Sequence, residues 1–142
     1  MMARGIRNNN PGNIRHDGVR WRGEIIGNDM SFKTFETMAW GIRAMFHLLN
    51  NYRVLYGCDT VEKLIGRWAP AIENDTEGYV AFVAERSKVQ RHSEISTTDR
   101  DVMIPVVRAM IRMENGTDVS MKDLVLGWKL FLMYNKSKNN GQ

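Results

Sequence analysis

The run Thr37-Met38-Ala39-Trp40-Gly41-Ile42-Arg43-Ala44-Met45-Phe46-His47-Leu48-Leu49-Asn50-Asn51-Tyr52-Arg53-Val54-Leu55-Tyr56-Gly57 decides the fold class. Met38, Ile42, Met45, Leu49, Tyr52 and Tyr56 recur at alternating four- and three-residue steps, which line up as one apolar stripe on an α-helix. Gly57 supplies a left-handed stop. The stripe belongs in a core, and a helix this long makes the domain mainly α.

Toward the amino end the pattern changes. Residues 4–35 are rich in Gly, Asn and Arg and carry a turn signal at Pro11-Gly12. Short β-type pieces at 13–15, 21–26 and 31–35 are punctuated by Gly23, Gly27-Asn28 and Asp29. This spacing predicts a small antiparallel hairpin or three-stranded flap. Toward the carboxyl end, Thr60 can cap a helix through Val61, Leu64, Ile65 and Trp68 that Pro70 ends. Asp75 or Thr76 can cap another with Tyr79, Val80, Phe82 and Val83 on one side. After a polar loop at 88–98, a helix opens at Thr98, runs through Pro105 to Glu114 and closes at Asn115-Gly116. Ser120 and Asp123 start a last helix through Leu124, Trp128, Phe131 and Leu132. The expectation is one α+β domain over 1–142, mainly α, with five helices, an N-terminal β flap, a core at 4–134 and a frayed tail at 135–142.

Composition narrows the function classes. A chain of 142 residues with 43% hydrophobic and 25% charged residues has an ordinary globular balance, which excludes wholesale disorder. The single cysteine, Cys58, excludes an internal disulfide and a cysteine zinc cluster, and His16, His47 and His92 are too scattered for a helical zinc motif. No metal or other cofactor is implied. No apolar run approaches the ~20 residues of a membrane span, and the polar, Arg-containing start is not a secretory signal. The net charge of +4 is loaded at the ends, on Arg4, Arg7, Arg15, Arg20 and Arg22 and on Lys129, Lys136 and Lys138. Mild basicity suits a polyanion or plain solubility, but nucleic-acid binding lacks a concentrated basic stripe.

Glu114 is the leading chemical candidate. Met103, Val107 and Met110 lie within about 40° of it on a helical wheel. Apolar burial and the negative end of the helix both favour a protonated carboxyl there, as donating a proton to a glycosidic oxygen requires. A solvent-facing terminal Glu is the alternative. Glu73, just before a helix start, suits a base or substrate acceptor, or a group that shapes its own loop. Tyr79 is either core or a hydroxyl offered to a sugar. Glu24 and Asp29 on the flap are turn residues or a second cleft carboxylate. Trp40, Trp68 and Trp128 fit helical core positions, whereas Trp21 in the flap could stack on a sugar. Asn8, Asn9, Asn10 and Asn13 offer paired donors and acceptors to a polysaccharide, or serve as turn residues. No phosphate-cradling glycine loop or nucleophile elbow is present.

The segment Arg4-Gly5-Ile6-Arg7-Asn8-Asn9-Asn10-Pro11-Gly12-Asn13-Ile14-Arg15 resembles the opening of a family of phage and prophage proteins described as virion structural proteins or lysozyme-like peptidoglycan-degrading enzymes. Trp21 to Gly23, Phe32 to Phe35, Gly41-Ile42-Arg43-Ala44, Arg67-Trp68-Ala69-Pro70, Glu73-Asn74-Asp75-Thr76, Tyr79 and Ile111 to Gly116 agree in order. Asn9 to Ile14 and Trp68 to Tyr79 are also similar to segments of lysozyme-like glucosaminidases, whose catalytic Glu ends a helix ahead of the flap. Here the matching helix, Val107 to Gly116, follows at the far end. The resemblance therefore implies a circularly permuted lysozyme-like domain with Glu114 as the acid; if the order is not permuted, Glu73 is the better choice. It implies cleavage of peptidoglycan glycan strands by a muramidase or lytic transglycosylase, with Glu73 orienting substrate or water, and with Tyr79, Trp21, Asn10, Asn13 and Thr76 as substrate contacts. Peptidoglycan and other virion proteins are the implied partners. The implied locations are the host cytoplasm during synthesis, then a virion or the periplasm and wall. A non-catalytic virion component with the same fold is the competing expectation.

Overall fold

The computed structural model describes residues 2–134. Among them run α1 (Arg4–Arg7), β1 (Glu24–Ile25), β2 (Thr34–Phe35), α2 (Met38–Tyr56), α3 (Val61–Trp68), α4 (Thr76–Ser87), α5 (Arg100–Asn115) and α6 (Met121–Tyr134). The chain is an α+β protein, mainly α, with one small antiparallel sheet. The frayed tail expected at 135–142 lies outside the described residues.

Helix α2 is the axis of the core. Thr37 caps it by accepting from the Trp40 N–H, and Gly57 ends it at φ 70°. Ile42, Met45 and Leu49 of its stripe are fully buried, yet so are Ala44, Phe46 and Arg43 on other faces. The reason is that α2 is covered on more than one side. Its most extensive partner is α6, whose Gly127 admits the close approach, since a Cβ there would sit 2.6 Å from Ile42 Cγ2. Phe46, Trp128 and Phe131 stack across this seam, Phe46 edge-on to Trp128 at 4.9 Å between centroids. Such pairs contribute about 0.5–1.5 kcal/mol beyond area burial. Arg43 donates to the Tyr134 carbonyl at 3.2 Å. Burial, with Arg22 nearby, pulls its guanidinium down to about 10.

Helices α3, α4 and α5 form the second layer. Thr60, Asp75 and Asp99 cap them through side-chain oxygens, and Gly116 at φ 72° closes α5. Asp99, not Thr98, caps α5; Pro105 lies inside the helix, which starts well before it. Met103, Val107 and Met110 of α5 are fully buried.

The flap has the expected antiparallel form with shorter strands. Glu24 pairs with Phe35 and Ile25 with Thr34, while the 13–15 piece contributes a single bridge, Arg15 to Phe32. What holds the flap is a buried cation. Lys33 is 1% exposed, and its Nζ contacts Asp17 Oδ1 at 2.8 Å, Glu24 Oε1 at 2.9 Å and the Val19 carbonyl at 2.8 Å. Helix α1 was not expected: one turn is too short to show a period.

Candidate active site

The amino-terminal loop is laid against the end of α5. Gly41 lets it pass, because a Cβ there would stand 1.9 Å from the Asn9 carbonyl oxygen. Asn10 is fully buried and spends its side chain on the loop, donating to the Ile14 and Lys33 carbonyls and accepting from the Ile14 N–H. Asn9 and Asn13 both adopt left-handed backbone, φ 52° and 51°, which Asn tolerates well. That turn aims the Asn13 amide at Glu114.

Glu114 is half-buried and accepts three hydrogen bonds. Asn13 Nδ2 donates to Oε1 at 3.0 Å; the Tyr79 hydroxyl and Trp68 Nε1 donate to Oε2 at 2.9 and 3.3 Å. The loop, α3 and α4 thus each send one donor to the last turn of α5. A carboxylate has about four acceptor positions, so the vacancy is on Oε1. Burial first, then the charge and hydrogen bond of Glu114, push the Tyr79 phenol well above its ordinary value, so it stays a donor.

Glu114 opens on a cleft of about 360 Å³, with Glu73, Asn74, Trp68, Tyr52 and Arg15 also on its walls. Glu73 is exposed, on the loop between α3 and α4. Glu114 and Asn74 also border a second hollow beside Asp75, Tyr79 and Phe82. Leu48, Tyr52 and Pro70 continue the first cleft into a third hollow. The three adjoin in a row, a trench in outline, with Glu114 and Asn74 on the wall between two of them and Leu48, Tyr52 and Pro70 between the other two.

Three substrate contacts expected from sequence are corrected. Trp21 is 4% exposed; its indole donates to Asp17 and its ring meets His47 edge-on, so it stabilises the flap interior and has no face for a sugar. Asn10 is fully consumed, as described. Thr76 donates its hydroxyl to the Ala69 carbonyl, closing the 69–76 loop. Glu24 and Asp29 are also engaged inside the flap, with Lys33 and with Arg4 and Asn8 respectively. Trp68 packs against the core, as its spacing predicts, and has a second role. It lies in the last turn of α3, where the helix also reaches the cleft.

Among the described residues no group of His, Cys, Asp and Glu could hold a metal ion, and no helix is long and apolar enough to cross a membrane. No protein-family model matches the chain. Over 121 residues it is 44% identical to Protein P5 of Pseudoalteromonas phage PM2, an alignment covering 82% of this chain and 73% of that protein.

Proposed function

The chain belongs to the phage protein family of Protein P5 from Pseudoalteromonas phage PM2, and on that premise we propose that it cleaves the glycan strand of peptidoglycan. The observation that carries this reading is a glutamate held by three donors in a trench shared with a second glutamate. Glu114 gives a proton from Oε1 to the glycosidic oxygen as the C1–O bond breaks. In hydrolysis, water adds its hydroxyl to C1 and returns a proton to the carboxylate. In the transglycosylase variant, the C6 hydroxyl of the same sugar closes on C1 and its proton returns to Glu114. Glu73 orients the water or the ring from the cleft wall, and Asn13 and Tyr79 keep the Glu114 carboxyl in place. The lysozyme-like resemblance, with the acid's helix permuted to follow the flap, supports the same reading.

Glu114→Gln and Glu73→Gln, each assayed by turbidity loss of purified sacculi, test it. Loss of activity in Glu114→Gln alone fits the assignment. Full activity there with loss in Glu73→Gln moves the acid to Glu73. An inert wild type rejects the enzyme. A second reading, a virion component without catalysis, is favoured by Ile26 and Met30, 94% and 91% exposed on the flap, where a neighbouring virion protein could cover them.

A further inference from the structure

The trench is electrically lopsided. In its third hollow, Arg67 lies over Tyr56, with Cζ 3.4 Å from the ring centroid and 5.5 Å from that of Tyr52. Arg15, on the wall of the central cleft, stacks over Phe32 at 4.8 Å. Among the described residues, neither guanidinium has a carboxylate within ion-pair distance, whereas Arg4, Arg91, Arg100 and Arg112 each do. A guanidinium packed on a ring face keeps its hydrogen-bonding edge outward and loses little freedom when it captures a planar carboxylate. The hollow on the opposite side of Glu114 carries Asp75 instead.

We propose that the Arg67 arm is a binding site for the carboxylates of the short peptide that muramyl residues carry, so that the protein selects peptide-bearing strands over naked glycan. This rests on peptidoglycan being the substrate and adds which part of it is read. The glycan backbone lies through the central cleft past Glu114. The stem leaves it along Leu48 and Pro70 toward Tyr52, Tyr56 and Arg67. Arg67 is exposed and forms no ion pair among the described residues, so its stacking on Tyr56 and Tyr52 is the contact that Arg67→Ala removes, and a thermal melt of that variant checks the fold.

The test uses binding, separately from turnover. Soluble uncross-linked glycan strands with tripeptide stems, and the same strands stripped by an amidase, are titrated into Glu114→Gln protein by fluorescence anisotropy at low and at moderate salt. The expected result is at least tenfold tighter binding of the peptide-bearing strands, weakening as salt rises. Adding Arg67→Ala brings the ratio close to one and leaves binding of stripped strands unchanged; Arg67→Lys restores only part, since an ammonium lacks the planar fork. An unaltered ratio in Arg67→Ala overturns the site, as does equal affinity for both strands or absence of binding to either. Cleavage of sacculi by the wild type is scored independently, so selective binding without cleavage removes the enzyme and keeps the site, and cleavage without selectivity does the reverse.

Discussion

Asn115 ties the end of α5 to Pro11, 104 positions earlier, through a 2.8 Å hydrogen bond from its side-chain amide to the Pro11 carbonyl. The same amide reaches the Ile111 carbonyl at 2.9 Å, so the last turn of the helix and the amino-terminal loop share one clamp. Next to it, Asn13 meets Glu114. Replacing Asn115 by Ala leaves two carbonyls without this donor, and a loss of about 1–3 kcal/mol is expected. Urea unfolding measures it; an unchanged midpoint would mean that the clamp contributes nothing.

Two glycine substitutions should move stability in opposite directions. A Cβ on Gly5 would lie 2.5 Å from Asn115 Oδ1, 2.8 Å from the Asn10 carbonyl oxygen and 2.9 Å from Asn13 Oδ1. Gly5→Ala should therefore cost about 1–3 kcal/mol by overpacking, and should lower activity with it. Gly66, inside α3, has nothing within 4 Å of its Cβ position. Gly66→Ala should stabilise by about 0.5–1 kcal/mol through helix propensity and a less flexible unfolded chain. Thermal melts of the pair decide whether the close approach at Gly5 matters.

Tyr79→Phe removes one of three donors from Glu114 with almost no change of shape. Hydrogen bonds to charged groups contribute about 1.5–3 kcal/mol, so kcat on wall substrate should fall roughly tenfold or more while KM stays near wild type. A rise in KM alone would place Tyr79 outside the chemistry. A pH effect follows from the same group. The fold holds the phenol protonated beyond its ordinary range, so its contribution is complete below about pH 10 and is lost as pH rises past the unfolded value. The alkaline decline in stability should be shallower in Tyr79→Phe.

Acid should loosen the flap. Asp29 is held well below the usual carboxylate range, chiefly by the hydrogen bond from Arg4, with Asn8 and two backbone N–H groups adding to it. Burial alone raises Asp17, but hydrogen bonds from Lys33, the Val19 N–H and the Trp21 indole outweigh it and leave Asp17 lowered. Carboxylates lowered by folding stabilise above their unfolded value, about 3.9, and that stability is lost as pH falls below it. The Trp21 indole N–H resonance should therefore shift in acid before those of Trp40 and Trp128. Simultaneous shifts of all three would show that the flap is no weaker than the helices.

The helices were legible in the sequence because their signals are local. The Thr60 and Asp75 caps, the Gly57 and Gly116 stops and the stripe of α2 all act within a turn or two of themselves. The flap was legible as a shape but not as an interior. Nothing in a Gly- and Arg-rich segment says that Lys33 is buried between Asp17 and Glu24, and without that cation Trp21 reads as an exposed platform. The site was legible in part. Glu114 follows its apolar stripe, and both readings of Asn13 meet in one residue: its left-handed backbone is the turn chemistry, and its side chain still serves the carboxyl. Spacing within α3 shows that Trp68 packs against the core but not that the helix also ends at a cleft wall.

The bond between Asn13 and Glu114 spans 101 positions. At roughly 5–20 residues per second on the ribosome, the amide emerges many seconds ahead of the carboxylate it serves. Until α5 has been made there is no carboxyl for the loop, α3 and α4 to surround, so no fragment caught mid-synthesis carries an assembled trench. The carboxyl meets its donors only when the last turn of α5 docks onto a loop that was made before it.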